Sequence, residues 1–326
     1  MIAFHCRVCE AQLFFENSVC ISCGTALGYS RVERAIVPLD AQGRYADQAG
    51  LVWWVCRNLG ESGCTWLARL EGGQCEACDL TRARPEPATK EYREAEIAKR
   101  HLVFELDRIG LPLVSRLQDP EEGLCFDLLQ SDGDPATQDV VIGHESGVIT
   151  IDLAESDAAY REKVREALAE PYRTMLGHFR HETGHYYEWQ LVRGEERMAE
   201  CTRLFGDESA SYQEAIKRHY SDGPPADWAE RYISTYATMH PFEDFAETFA
   251  HYLHIRDTIE SAIHLGLAAY APLDGAFRRV VEEQWIPLST ALNVVNRSMG
   301  RDDLYPFVIP GPVLDKLEYV AGLVPR

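Results

Sequence analysis

His181-Glu182-Thr183-Gly184-His185 is the stretch on which the reading of this chain turns. Residues four apart share one face of a helix, so both imidazoles can reach a single metal ion while Glu182 points beside it. Two imidazoles and an adjoining carboxylate are the parts of a hydrolytic zinc centre. The histidines hold Zn²⁺, and the glutamate takes a proton from the water that the metal activates. Five residues alone are modest grounds, so the flanks must decide. Upstream, Glu170-Pro171-Tyr172 predicts a helix start, because proline suits a first turn and no deeper position. Tyr172 to Val192 then lacks proline, and Met175, Leu176, Phe179, Tyr186, Trp189 and Leu191 recur at helical spacing, with Gly194 as the predicted stop. The motif therefore sits in a long, mostly buried helix. Gly184 lets a neighbouring segment approach closely, at a helix cost of about 1 kcal/mol relative to Ala.

Two histidines leave a catalytic zinc short of protein ligands, so a third must come from elsewhere. The segment from His240 to Ala250 offers it. Pro241 predicts a second helix start, Phe242, Phe245, Phe249, Tyr252 and Leu253 form an apolar stripe, and Glu243 and Glu247 lie four apart among them. Glu243 is read as the third ligand. Glu247 is read as the acceptor for the free ring nitrogen of a ligating histidine, which would fix its tautomer. Spacing does not order the two glutamates, and the reversed roles stay open. His178, His251 and His254 read as packing or surface groups, and His240 as a cap or substrate contact.

These stretches resemble a family of zinc-binding metallopeptidases that carry an N-terminal zinc ribbon. The resemblance covers nearly the whole chain, including the run from Gly143 to Leu153 and that from Glu170 to Arg180. The catalytic stretch is also similar to the lethal-factor-like and Pro-Pro endopeptidase gluzincins. In those families an ExxxE helix supplies the third ligand, and a tyrosine seven residues before that glutamate faces the metal. Tyr236 is seven before Glu243. The resemblance thus implies that Tyr236 donates its phenolic proton to the oxyanion developing on the scissile carbonyl.

Eight of the ten cysteines precede residue 80. Cys6-x2-Cys9 and Cys20-x2-Cys23 are two hooks in a compact four-cysteine zinc ribbon, and Cys56, Cys64, Cys75 and Cys78 read as a second site with a looser first half. Closed thiolate sites do no hydrolysis; they hold together small modules that lack enough core to fold alone. Trp53, Trp54 and Trp66 are expected to pack this module, and Cys125 and Cys201 to be buried free thiols. Met1 to Cys6 lacks the features of a signal peptide, and no run reaches the ~20 apolar residues of a membrane span, so a reducing, cytoplasmic setting is expected.

The expected fold class is α+β: a double zinc-ribbon module over 1–84, a linker over about 81–90, and a mostly helical zincin-like domain with a small β-sheet over 85–326. Strands are expected over Leu124–Gln130, Val140–Gly143 and Gly147–Leu153, the last as the edge strand above the cleft. Ser156-Asp157 is expected to cap a charged helix ending before Pro171, and the tail around Pro306, Pro310 and Pro312 to be extended. The net charge is −20, and residues 85–326 carry 24 basic against 43 acidic residues, which repels a phosphate backbone. The expected function is hydrolysis of peptide bonds in a peptide or protein substrate, with one catalytic and two structural Zn²⁺, no nucleic-acid or membrane partner, and ribbons available to a protein partner. The alternatives are a catalytically inactive ribbon adaptor and a zinc amidohydrolase acting on a non-protein amide.

Overall fold

The computed structural model describes residues 2–131, 140, 142–157, 174–269 and 276–325. The helix start at Glu170–Tyr172 and the charged helix before Pro171 lie outside them. The chain is α+β: small sheets in the cysteine-rich part, then a mostly helical part with one four-stranded sheet.

In the first part β1 (Phe4–His5) pairs with β2 (Gln12–Leu13), and β3 (Leu27–Ser30) with β4 (Ala35–Pro38). β5 (Arg44–Ala46), β6 (Val52–Val55) and β7 (Leu67–Ala68) form an antiparallel sheet. Strands this short bury little, and the apolar centre comes from aromatic rings instead. Phe15, Tyr29 and Trp66 cluster, with Tyr29 and Trp66 centroids 4.8 Å apart. Trp53 and Trp54 do not join them. Both stay half-buried on β6, Trp53 donating to Asp47 Oδ2 at 2.8 Å and lying under Arg69, Trp54 lying under Arg44. Of the three tryptophans expected in the core, only Trp66 is there; Trp53 and Trp54 are adjacent on β6 and so point to opposite faces of a small sheet.

The ribbon part rests on α3 (Lys90–Arg108), which Thr89 caps by accepting from the Tyr92 N–H at 3.1 Å. Before it come two single-turn helices, α1 (Leu59–Ser62) and α2 (Glu76–Asp79), each next to a cysteine of the second set. Phe104 of α3 enters the aromatic cluster, 4.7 Å from Phe15 and 5.6 Å from Tyr29. The next residue, Glu105, instead accepts from Arg180 Nε at 2.9 Å.

The stretch expected as a linker is partly sheet. β8 (Thr81–Ala83) pairs in parallel with β9 (Cys125–Leu129), and Arg82 holds Asp127 in a forked ion pair. Charge and the prolines at 85 and 87 hid a strand whose partner lies over 40 residues away in sequence. The sheet runs β10 (Gly143–Glu145), β11 (Val148–Asp152), β9, β8. β10 and β11 form the expected hairpin, but its first strand is Gly143–Glu145 rather than Val140–Gly143; it turns at Ser146 (φ 47) and Gly147 (φ 86), the doubly positive-φ pair that suits a two-residue hairpin. The edge strand, however, is β10. Residues 148–152 lie inside, hydrogen-bonded to β9 on their far side, consistent with the full burial of Ile149 and Ile151.

α4 (Met175–Leu191) begins after Thr174, whose hydroxyl accepts from Gly177 N–H at 2.9 Å. Phe179 seats it on the sheet against Phe126. α5 (Glu195–Phe205) and α6 (Tyr212–Asp222) follow, then α7 (Pro241–His264), with Pro241 in the first turn as expected. After α8 (Phe277–Val280) a π turn, Val281–Trp285, continues into α9 (Ile286–Ser298). The tail is not extended throughout: α10 (Gly311–Leu323) is a helix, with Pro312 in its first turn rather than breaking it. Lys316 of α10 reaches the buried Asp244 on α7 at 2.6 Å and fixes the tail there.

α4 and α7 cross at Gly184. A Cβ there would lie 2.9 Å from Ala246 Cα and 3.1 Å from its carbonyl oxygen. Overpacking of this kind costs about 1–3 kcal/mol, against about 1 kcal/mol of helix propensity gained by Ala over Gly. The obstacle is helix backbone, which cannot swing aside, so the steric term wins. Gly184→Ala should lower the thermal midpoint and weaken metal retention by parting the two helices. An unchanged midpoint in a thermal melt would rule this out.

Candidate metal centre

α4 presents His181 and His185 one turn apart on the face that meets α7, and α7 presents Glu243 from its first turn. Glu243 Oε2 lies 2.9 Å from His181 Nε2 and 3.5 Å from His185 Nε2. Tetrahedral ligands at zinc distances sit about 3.3 Å apart, so one ion fits this triangle of buried donors. Behind it, His181 Nδ1 faces Glu247 Oε1 at 2.8 Å, and Glu247 Oε2 accepts from Ser234 Oγ at 2.6 Å. Of the two glutamates, Glu243 therefore faces the gap between the imidazoles and Glu247 the outer nitrogen.

The electrostatics fit a cation. Burial opposes charge on all three groups, yet hydrogen bonding and mutual attraction win. His181 is carried well above the usual histidine range by Glu243 and Glu247, Glu243 well below the carboxylate range, and Glu247 down to about 2. Without an ion, the two flanking carboxylates favour a proton on His181. A metal ligand must be neutral imidazole, so an ion would replace that proton. Within the HExxH stretch, two buried polar atoms have no hydrogen-bond partner among the described residues: Glu182 Oε2, and Nδ1 of His185, whose ring stacks on Phe242 at 3.8 Å.

Glu182 and Tyr236 line the same cleft, of about 750 Å³, together with the edge residues Gly143, His144 and Glu145. The Tyr236 ring centroid is 5.7 Å from that of His181, and burial pushes its phenol well up, so it is protonated and can donate. Spacing and composition miss one member of this wall. Tyr212, the first residue of α6, donates its hydroxyl to Glu243 Oε1 at 2.6 Å. It belongs to no motif, and its partner lies 31 residues on.

The remaining histidines stay outside the triangle. His178 is 2.8 Å from Glu155, His251 Nδ1 is 2.7 Å from the Tyr305 hydroxyl, and His254 meets Arg180. His240 caps α7 by accepting from Phe242 N–H at 3.2 Å.

The cysteines gather as two sets. Sγ atoms lie 3.8 Å apart for Cys6 and Cys23 and 3.6 Å for Cys9 and Cys20. In the second set, Cys56 and Cys78 are 3.7 Å apart, and Cys64 and Cys75 are 3.6 Å apart. Four thiolates around one zinc stand about 3.8 Å from one another, far from a disulfide bond, and all ten cysteines are free. The looser spacing from Cys56 to Cys64 accommodates α1. Cys125 and Cys201 are buried, the latter with Sγ 3.8 Å from Glu188 Oε1.

Residues 88–323 match the family described as "Putative zinc-binding metallo-peptidase". The chain belongs to this family. Residues 3–89 of the chain match a zinc-ribbon domain, and zinc binding accords with both matches and with the two cysteine sets. Similar to it are uncharacterized proteins of Mycobacterium bovis and Mycobacterium tuberculosis. Each is 47% identical over 335 residues, covering 98% of this chain and 94% of the relative. No solved structure matches the chain. No helix among its described residues is long and apolar enough to cross a membrane.

Proposed function

We propose that this chain is a zinc-dependent peptidase of the HExxH gluzincin type, with His181, His185 and Glu243 as ligands of one catalytic zinc and the two cysteine sets each holding a structural one. The observation that carries the reading is the convergence of both Nε2 atoms on Glu243 Oε2, beside a Glu182 oxygen without a partner among the described residues. When bound there, zinc supplies Lewis acidity, lowering the pKa of water and polarising the scissile carbonyl. Glu182 takes the proton of the attacking water and passes it to the leaving amine. Glu247 keeps the His181 ring in register through Nδ1. Tyr236 donates to the oxyanion. β10, an edge strand on the cleft with no strand on its outer side among the described residues, can receive an extended peptide there, which favours a peptide or protein over a small amide.

Metal analysis of the purified protein should return three zinc ions per chain. Two would leave only the ribbon sites loaded and point to an adaptor. Incubation with cell lysate should generate new peptide amino termini that are missing when the zinc is removed. Tyr236→Phe should slow turnover about 10²–10³-fold, the loss typical of one oxyanion donor, with zinc content unchanged; steady-state kinetics with metal analysis reads both. A Phe variant as fast as wild type would take Tyr236 out of the mechanism.

A further inference from the structure

We infer that Tyr212 is a positioning residue for Glu243: its hydroxyl holds Oε1 so that Oε2 alone is turned to the two imidazoles, which ties retention of the catalytic metal to helix α6. The inference rests on the proposed metal centre and adds a residue that no motif names.

The geometry is specific. Glu243 has two carboxylate oxygens with separate partners, Oε1 taking the Tyr212 hydroxyl at 2.6 Å and Oε2 facing His181 Nε2 at 2.9 Å. A carboxylate free to rotate would exchange the two oxygens and could swing either from the gap; an anchored one cannot. Hydrogen-bonded partners behind metal ligands act in this way, and their removal costs about 10–100-fold in metal affinity. Glu247 does it for His181. Tyr212 is the corresponding support for the carboxylate ligand.

The phenol is delivered by the chain just before it. His240 Nε2 bonds the carbonyl of Ala210 at 3.1 Å while the same ring caps α7, and the Tyr212 and His240 rings touch at 5.3 Å. The start of α6 is thus clasped to the start of α7, beside Glu243. Beyond that clasp α6 lies on the surface. Ala215 is its only buried residue, and Tyr212 itself is 39% exposed and faces the cleft. A helix with so little burial is held chiefly by its first turn, so the Tyr212–Glu243 bond serves both the ligand and the helix.

The test is competition for the third zinc of the full-length protein against a chromophoric chelator, with the two cysteine-bound ions counted separately. Tyr212→Phe keeps the ring and removes only the donor; it should weaken the third site about 10–100-fold and leave the ribbon zincs in place. In a Glu243→Asp background, whose shorter side chain cannot span both partners, the same substitution should matter by less than about twofold, as for uncoupled groups. A packing role for Tyr212 would survive in Phe and produce no change at the third site. Equal third-site affinity in Tyr212→Phe and wild type overturns this inference alone. A wild-type chain that takes up only two zincs overturns the metal centre and this inference with it.

Discussion

Glu182→Gln is expected to leave all three zincs bound and to reduce peptide hydrolysis by at least about 10²–10⁴-fold, the range for loss of a general acid–base group. Glu182 is 8% exposed, lines the cleft, and has one buried carboxylate oxygen with no hydrogen-bond partner among the described residues. Burying a charge-bearing group in this state is unfavourable unless a ligand or substrate uses it. Gln has nearly the same shape and removes only the proton acceptor, so neither folding nor the triangle of His181, His185 and Glu243 is disturbed. Parallel metal analysis and turnover on a peptide that the wild type cleaves give the two readings. Undiminished hydrolysis in the zinc-loaded variant would falsify the assignment of Glu182 as base.

The second large effect is expected at a ribbon. Cys75 is fully enclosed in the second cysteine set, with the other three sulfurs around it. A structural zinc contributes an apparent 10–16 kcal/mol or so to the fold that holds it, comparable with the ~5–15 kcal/mol stability of a whole domain. Cys75→Ser should therefore lose one zinc and unfold α1, α2 and the strands around them. Because Trp66 and Tyr29 form one cluster with Phe104, the damage should reach α3. Limited proteolysis should open cleavage sites before residue 90, and the thermal midpoint should fall by well over 10 °C, at roughly 2–8 °C per kcal/mol. A protease-resistant variant with a wild-type midpoint would show that the second set does not hold the module together.

Much of this architecture is readable in the chain because its signals are local. Pro241, the apolar stripe after it and the spacing of His181 and His185 fix two helix faces without any knowledge of the rest. The CxxC hooks work similarly, since ligand spacing is a property of a short loop. What escapes is non-local or masked by composition. β8 is three residues whose partner strand is distant. The edge position passes to β10 because β11 finds β9 on its other side, and pairing order is not written in alternation. α10 hides behind Pro310 and Pro312, which mark a helix start as readily as an extended tail. Tyr212 carries no signal at all, since its meaning lies in a single hydrogen bond to another helix.

Phe104 and Glu105 are neighbours along α3, one lodged among the ribbon's rings and the other gripping Arg180, the residue just ahead of His181. Cutting the chain at the junction of its two halves would strip the cover from Phe104 and leave a raw apolar flank. The part that follows the ribbons, prepared alone, should therefore clump in solution, and its silence in an assay would say little about chemistry. The intact polypeptide is the proper unit for enzymology.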